Sequence, residues 1–252
     1  MQYFNPLDKL FQEPYSTIIG YPKATKKQIK ARIVELRKLG IQSISFQGQS
    51  KIGNLNILGK GYVGVVVLAK MKNKLVAVKI RRTDASRTNM EIEAGFLKIA
   101  NQVDVGPLIV TRSRNFMIME YLAGKKISEW ISGLKSKRDA QLLKSIMKKI
   151  LEDCYRLDVI GLDHGELSNI SKHVVVGKSK TTVIDFESAS TQRRVSNVTS
   201  ATQAICIGSG ISKIVRKIYR LPSKNKLIKI LRLYKQERSQ QNFEKILAVL
   251  KL

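Results

Sequence analysis

Apolar residues are spaced differently in different parts of this chain, and the spacing predicts which elements form. Between residues 25 and 40 they recur at intervals of three and four, which predicts a helix that ends at Gly40. Lysines and arginines crowd the other face of this helix, which indicates either a partner-binding extension or a cap on the following sheet. The preceding residues 1–22 carry three prolines and predict irregular structure.

From residue 43 to residue 80 the chain is rich in β-branched residues and is punctuated by glycine or by Lys72-Asn73. This pattern predicts a small antiparallel meander. The predicted strands are 43–46, 55–58, 63–70 and 74–80.

The rest of the chain is mainly helical by the same criterion, with a few short strands. Helices are expected at 88–100, 127–131 and 138–157, followed by three or four amphipathic helices in 197–252. Strands are expected at 116–124, where the strand runs into a linker, and in a hairpin at 174–176 and 181–184.

A G-x-G-x-x-G motif lies inside the predicted meander, at Gly59, Gly61 and Gly64. A dinucleotide-binding version of this motif opens a helix, whereas here a β-branched run follows, so a hairpin turn is expected. Glycines in such a turn allow the backbone to approach phosphate groups. By itself the motif is equally compatible with a hairpin that binds no ligand.

Lys79 ends the strand pattern V-A-V-K fifteen residues after Gly64. A lysine is a compact charge suited to phosphate oxygens. The next predicted helix carries Glu91 and Glu93, and we expect Glu93 to pair with Lys79, with Glu91 as the surface alternative. Further on, Glu120 and Leu122 lie where the strand 116–124 becomes a linker, and their backbone groups are candidates for contact with an adenine edge.

The order of these motifs resembles the protein-kinase superfamily. The resemblance implies that the glycine turn covers the phosphates of ATP, that Lys79 contacts the α- and β-phosphates and pairs with Glu93, and that Glu120–Leu122 is the hinge joining two lobes.

The second half of the chain carries two stretches that resemble the kinase catalytic and metal-binding motifs. His164-Gly165-Glu166-Leu167 is similar to H-x-D-L, and Asp185-Phe186-Glu187 is similar to D-F-G. By resemblance, Glu166 is the catalytic base or orienter, and Asp185 is the magnesium ligand, as befits a hard carboxylate oxygen at a strand end. A turn-capping aspartate is the structural alternative at position 185.

Several positions depart from the kinase pattern. Glu166 stands where the family has aspartate, and Asp163 is a rival for that role. Ser171 or His173 stands where the family has asparagine, and imidazole is a poor ligand for magnesium. Glu187 replaces the glycine of D-F-G.

Only residues 188–252 follow Glu187, and they lack an A-P-E motif. The chain therefore resembles the small atypical kinases, the RIO group and the kinase of the KEOPS complex. The resemblance implies an α+β, bilobal protein-kinase-like fold with a small β-rich N-lobe and a reduced, mainly helical C-lobe. The expected divisions are an N-terminal extension at 1–45, an N-lobe at 46–120 and a C-lobe at 121–252.

The chain is strongly basic, with 46 Lys and Arg against 19 Asp and Glu and a formal net charge of +27. Such a charge attracts polyanions, so RNA, DNA, a ribosome and an anionic membrane surface are candidate partners, while solvated helix faces are the plain alternative. Two cysteines 52 positions apart predict no disulfide framework or thiolate zinc site. The first residues predict neither a signal peptide nor a transmembrane helix, which predicts a cytoplasmic protein.

The resemblance implies an ATP- and Mg²⁺-dependent phosphotransferase directed at Ser/Thr of a protein substrate. Two alternatives remain open: an ATPase-type switch on a ribosome or RNA, and a pseudokinase-like module that binds nucleotide without turnover.

Overall fold

The computed structural model describes residues 3–208 and 210–252. The chain divides into two compact units. The first unit contains the residues up to Lys98 together with Pro107–Leu122, and the second unit contains Ile99–Gly106 and Ala123–Leu252.

The first unit is built on an antiparallel sheet with the order β1-β2-β6-β7-β9-β8, in which β5 also pairs with β6. Its strands are β1 (Asn5–Pro6), β2 (Ile41–Ser45), β5 (Gly59–Lys60), β6 (Gly64–Met71), β7 (Lys74–Arg81), β8 (Ile109–Arg112) and β9 (Phe116–Glu120). A separate hairpin is formed by β3 (Ser50–Ile52) and β4 (Leu55–Ile57). The helices of this unit are α1 (Tyr15–Ile19), α2 (Lys26–Lys38) and most of α3 (Glu91–Asn101).

Alternation along β6 and β7 explains how the sheet makes a core. Val65 and Val67 in β6, and Val78 and Ile80 in β7, are almost completely buried on one face, together with Phe116 of β9. Because side chains alternate along a strand, the residue between Val78 and Ile80 points to the opposite face. That residue is Lys79.

The predicted helix at 25–40 is present as α2, and it packs on the same core through Ile33 and Leu36. Thr25 caps it: the Thr25 hydroxyl accepts from the backbone N–H of Gln28 at 3.2 Å, and the Gln28 side chain accepts from the Thr25 N–H at 2.8 Å. The segment 1–45, separated as an extension in the sequence analysis, thus contributes β1, β2 and two helices to the first unit.

The expectation of irregular structure for residues 1–22 is wrong. This stretch forms β1, a 3₁₀ turn at Leu7–Phe11 and α1, and it buries Leu10 and Ile18 in the core. Two of the three prolines fall at element boundaries: Pro6 precedes the 3₁₀ turn and Pro14 precedes α1. Proline is tolerated at such boundaries, so its presence did not prevent short elements between them.

The second unit is mainly helical. Its helices are α4 (Ile127–Ser132), α5 (Ala140–Val159), α6 (Ile170–His173), α7 (Asn197–Cys206), α8 (Ile211–Ile218), α9 (Lys224–Gln236) and α10 (Gln240–Leu250). A small antiparallel sheet has the order β10 (Gly124–Lys126), β11 (Val174–Gly177), β12 (Thr181–Val183). The predicted hairpin near 174–184 and the predicted helices beyond 197 are confirmed.

Buried polar contacts join α5, α7 and α9. The Asp158 carboxylate accepts from the Tyr234 hydroxyl at 2.9 Å, from the side chain of Asn197 at 2.8 Å and from the N–H of Asn197 at 3.0 Å. Burial raises the pKa of Asp158 and moves the pKa of Tyr234 upward as well, with the Asp158 charge adding to the effect on the tyrosine. These bonds fix the start of α7 against the end of α5.

The protein is therefore of the α+β class, with a β-rich N-terminal part and a mainly helical C-terminal part. Within residues 3–208 and 210–252, no helix is both long enough and apolar enough to cross a membrane.

Candidate functional site

The glycine motif forms the expected hairpin turn between β5 and β6. The N–H of Gly61 donates to the carbonyl of Gly64 at 2.8 Å, and Tyr62 at the tip of the turn is 89% exposed. A Cβ atom at Gly64 would lie 2.9 Å from Cγ of Lys79 and 3.0 Å from the carbonyl oxygen of Ile80. Glycine at position 64 is thus required by the close approach of β7.

Lys79 and Glu93 form a buried ion pair in the first unit. Lys79 Nζ lies 2.6 Å from Glu93 Oε1, and the two side chains are 6% and 2% exposed. Glu93 lies in the first turn of α3, whereas Glu91 is exposed to solvent. Burying a single charge is costly, so each of these two side chains depends on the close approach of the other to offset its loss of solvent.

Contacts that the sequence did not reveal hold the segment before α3. The Arg81 guanidinium donates to Asn115 Oδ1 at 3.1 Å and to the carbonyl of Arg87 at 3.1 Å. Asn115 in turn donates to Glu35 of α2 at 2.7 Å. Buried Arg32 of α2 donates to the same Asn115 oxygen at 3.3 Å, and burial with the nearby Arg81 charge lowers its pKa to about 10. Helix α2 and the β8–β9 turn therefore brace the chain that leads to Glu93.

The predicted hinge residues lie at the end of β9. The backbone N–H of Glu120 donates to the carbonyl of Leu108 at 2.8 Å, and Glu120 Oε2 accepts from the N–H of Leu108 at 3.2 Å. Leu122 follows the strand outside regular structure and is half-buried. The side chain of Glu120 is thus used to hold the start of β8.

Glu166 lies in a cluster with His173 and Ser188 in the second unit. His173 Nε2 lies 2.9 Å from Glu166 Oε2, and the His173 side chain is 6% exposed. The hydroxyl of Ser188 donates to the other oxygen, Oε1. The carboxylate is therefore fixed at both oxygens. Ser188 is a member of this cluster that the motif comparison missed, because it lies outside the two motifs that were compared.

Asp163, the rival of Glu166, is occupied by other contacts. Its carboxylate accepts from Nε of Arg193 at 3.1 Å and from the N–H of Ser196 at 3.1 Å. Its backbone exchanges two hydrogen bonds of 2.9 Å with Ser190. Asp163 thereby closes the loop that leads into α7.

His164 is completely buried behind this cluster. The ring nitrogen Nε2 lies 3.1 Å from the carbonyl oxygen of Ile184, and the backbone N–H of His164 donates to Asn197 Oδ1 at 2.8 Å. The rings of His173 and Phe186 contact it edge-on, with centroids at 5.5 and 5.0 Å. Burial lowers the pKa of His164 to about 4, so its role is that of a neutral packing and hydrogen-bonding residue.

A pH dependence of stability follows from the buried His164. Its pKa is about 4 in the folded protein and 6.5 unfolded, so the unfolded chain binds more protons between these values. The contribution of neutral His164 to the free energy of unfolding is fully present above pH 6.5 and is lost as the pH falls towards 4, a change of about 3 kcal/mol. In urea unfolding, the stability of wild type relative to His164→Gln is expected to rise from pH 4 to pH 6.5. Parallel profiles for the two proteins would contradict the assignment.

Asp185 follows β12 and has a backbone φ of +72°, in the left-handed region that aspartate tolerates better than most residues. Its neighbours Phe186 and Glu187 are buried, while Asp185 is half-buried. In the described part of the chain no group of three or more His, Cys, Asp or Glu residues could hold a metal ion. Mg²⁺ commonly takes only one or two protein carboxylates and completes its shell with phosphate and water, so Asp185 fits such a role.

No protein-family model matches this chain. It is similar to an uncharacterized protein of Methanocaldococcus jannaschii, with 29% identity over 100 residues that span 39% of this chain and 81% of that protein. The similarity indicates a related sequence in an archaeon and assigns no activity to either protein.

Proposed function

We propose that this protein is an ATP- and Mg²⁺-dependent phosphotransferase that acts on Ser/Thr hydroxyl groups. The observation that carries the proposal is the buried Lys79–Glu93 pair at 2.6 Å, presented beside the glycine turn of β5 and β6. A lysine held in place by a buried carboxylate, next to a glycine-rich turn whose backbone a phosphate ligand can approach, is suited to binding phosphate oxygens.

The residues of the first unit would bind and orient the nucleotide. Gly59, Gly61 and Gly64 keep the turn free of side chains that would block the approach of phosphates, and the space around Gly59 is open. Lys79 would contact the α- and β-phosphates, and Glu93 would hold it in place. Backbone groups of Glu120 and Leu122 would contact the adenine edge.

The residues of the second unit would hold the metal and the proton. When bound, ATP supplies the transferable phosphoryl group and Mg²⁺ neutralises its developing charge. Asp185 would hold the metal, and the Glu166 carboxylate would orient the acceptor hydroxyl and take its proton. His173, through its bond to Oε2, would fix the direction in which Oε1 of Glu166 points.

We also propose that the two units correspond to the lobes of a bilobal protein-kinase-like fold. Support comes from the order of elements along the chain: the glycine turn between β5 and β6, the lysine strand β7 and the acidic helix α3, followed by β8 and β9. The kinase pattern has these motifs in the same order. The strands β5, β6, β7, β9 and β8 belong to one sheet. The reduced C-lobe would be the helical second unit, which ends with α7–α10 after the Asp185 stretch.

Transfer from labelled ATP tests the proposal. Wild type with Mg²⁺ is expected to move label from the γ-position to itself or to a generic Ser/Thr protein substrate, and Lys79→Ala and Asp185→Ala are expected to lose this transfer. Equal incorporation in all three proteins would reject it. Release of phosphate without transfer would favour the ATPase-type switch, and binding of ATP without turnover would favour the pseudokinase alternative.

A second candidate function is binding to RNA through α9. This helix exposes Lys226, Lys229, Arg232 and Lys235 and contains no acidic residue. Its apolar residues Leu227, Leu231 and Tyr234 are buried within the second unit. Most of the apolar side of α9 therefore packs inside the second unit, although Leu233 is 42% exposed. The helix thus offers little to insert into a membrane, and contact with a phosphate backbone fits its basic surface better.

Neutralising these four residues to glutamine is expected to weaken binding to single-stranded RNA and to flatten its salt dependence. Each phosphate contact contributes a slope of about 0.7 in log K against log salt, so the slope should fall by up to about 3. The matched control neutralises four exposed lysines of α2, which removes the same charge from the first unit: Lys26, Lys27, Lys30 and Lys38. Equal losses in both variants, measured by filter binding across a salt series, would show that net charge alone is responsible.

A further inference from the structure

A cavity of about 570 Å³ lies beside β1 in the first unit, and none of the residues assigned above to nucleotide binding lines it. Its volume falls within the range of small-molecule binding sites, about 300–1,000 Å³. Such sites are lined by aromatic and aliphatic side chains with a few polar groups. The lining of this cavity has that composition, with Tyr3, Tyr15, Phe46 and Leu55 beside polar residues that include Asn5 and Ser45.

Aromatic rings form one wall of the cavity. The rings of Tyr15 and Phe46 stack, with centroids 5.1 Å apart and planes inclined by 19°. Both rings pack against the core from partly buried positions, whereas Tyr3 is 63% exposed. Tyrosine and phenylalanine rings stack on flat ligand rings, and nucleobases are bound by proteins in this way.

The segment that carries Phe46 is held against the β3–β4 hairpin. Gly48 has a φ of +128°, and a Cβ atom at this position would clash with the backbone of Ile57 in β4. Glycine is therefore required for this close approach. Leu55 of the same strand lines the cavity, so packed backbone fixes this side of it.

Asn5 and Ser45 provide the buried polar part of the lining, and each is 3% exposed. Asn5 Nδ2 donates to the carbonyl of Ile44 at 3.4 Å, while Asn5 Oδ1 has no hydrogen-bond partner within the described part of the chain. Buried acceptors in native proteins are paired in the great majority of cases. An N–H group on the edge of a ligand ring would supply the donor that Oδ1 lacks.

A positive charge lies next to the exposed ring of Tyr3. Lys9 is exposed, and its Nζ donates to the Tyr3 hydroxyl at 3.0 Å. The formal net charge of +27 adds a long-range attraction for anions. A ligand that carries a negative group beside its ring is therefore favoured over a neutral ring.

We propose that this cavity binds the base of a nucleotide at a site separate from the one proposed for ATP. The base stacks against the aromatic wall, its exocyclic amino group donates to Asn5 Oδ1, and its phosphate lies near Lys9. Cytosine presents an amino group where uracil presents a carbonyl oxygen, which Oδ1 would repel. The inference does not rest on phosphoryl transfer, since none of these residues takes part in it.

CMP and UMP form a matched pair of ligands for the test, which uses the full chain. CMP is expected to shift the methyl signals of Leu55 in NMR spectra and, by calorimetry, to bind about tenfold more tightly than UMP. Asn5→Ala, with folding checked by circular dichroism, should bind the two ligands equally. Lys79→Met should leave CMP binding unchanged. A cytidylate trimer that binds no more tightly than CMP identifies a free nucleotide, and tighter binding identifies a base within a strand.

An exposed variant keeps the test informative if Asn5→Ala does not fold. Lys9→Gln is expected to weaken CMP binding about threefold and to leave the binding of cytidine, which has no phosphate, unchanged. Lys98→Gln removes the same charge from an exposed position on α3 and should bind CMP as wild type does.

Three outcomes overturn the inference. They are equal affinities of wild type for CMP and UMP, Leu55 signals that no nucleotide shifts, and Leu55 signals that respond to L-tryptophan but not to CMP. Each of these leaves the proposed phosphotransferase function standing, because that function is measured by Lys79-dependent transfer from ATP. Loss of transfer with CMP binding intact would reject the function and leave this site.

Discussion

Replacing Lys79 by methionine is expected to lower phosphoryl transfer by about 10²–10³-fold, because it removes a positive charge that would stabilise the phosphates in the transition state. The same change leaves the buried carboxylate of Glu93 without the lysine 2.6 Å away. Breaking a buried ion pair by removing one partner typically costs about 3–5 kcal/mol of stability. The activity of purified protein and its urea unfolding midpoint are measured together.

A double variant separates the two effects. Lys79→Met with Glu93→Gln removes both charges, and replacing a buried pair by neutral groups of similar size is often close to neutral for stability. The double variant is expected to recover most of the lost stability and none of the lost transfer. Recovery of activity together with stability would show that Lys79 serves the fold and not the phosphates.

Replacing Asp185 by asparagine is expected to reduce transfer by at least about 10²-fold and to raise the Mg²⁺ concentration needed for half-maximal activity. Asparagine retains the size of the side chain and also tolerates the left-handed backbone, where Asp185 has φ of +72°. The loss can therefore be assigned to the carboxylate charge. Activity is followed across a Mg²⁺ titration.

The control for this variant is the unfolding free energy, which Asp185→Asn should leave within about 0.5 kcal/mol of wild type. A glycine at the same position would relieve the backbone conformation while removing the carboxylate, so it should lose activity equally. Unchanged transfer and unchanged Mg²⁺ dependence in Asp185→Asn would remove Asp185 from the site and favour its reading as a turn residue.

Local pattern was sufficient for much of the fold. The β-branched runs and glycines placed β6 and β7 to within about one residue, because alternation along a strand and turn formation depend on neighbouring residues alone. The choice of Glu93 over Glu91 as the partner of Lys79 agrees with the burial observed. By contrast, Leu142, which shares the helical spacing of α5, is 51% exposed. Periodicity marks a face of a helix but does not say how far the neighbouring elements cover it.

The chain by itself determined the α+β class, the order of the candidate motifs and the hairpin character of the glycine turn. Tertiary structure decided what those residues contact. The carboxylate of Glu166 meets His173 and Ser188, which lie seven and 22 positions away in the sequence. Asp163, which local sequence made a rival of Glu166, is held instead by Arg193 and Ser196. Such side-chain contacts depend on how separate segments pack against each other, and the spacing of residues along the chain does not encode that packing in a readable form.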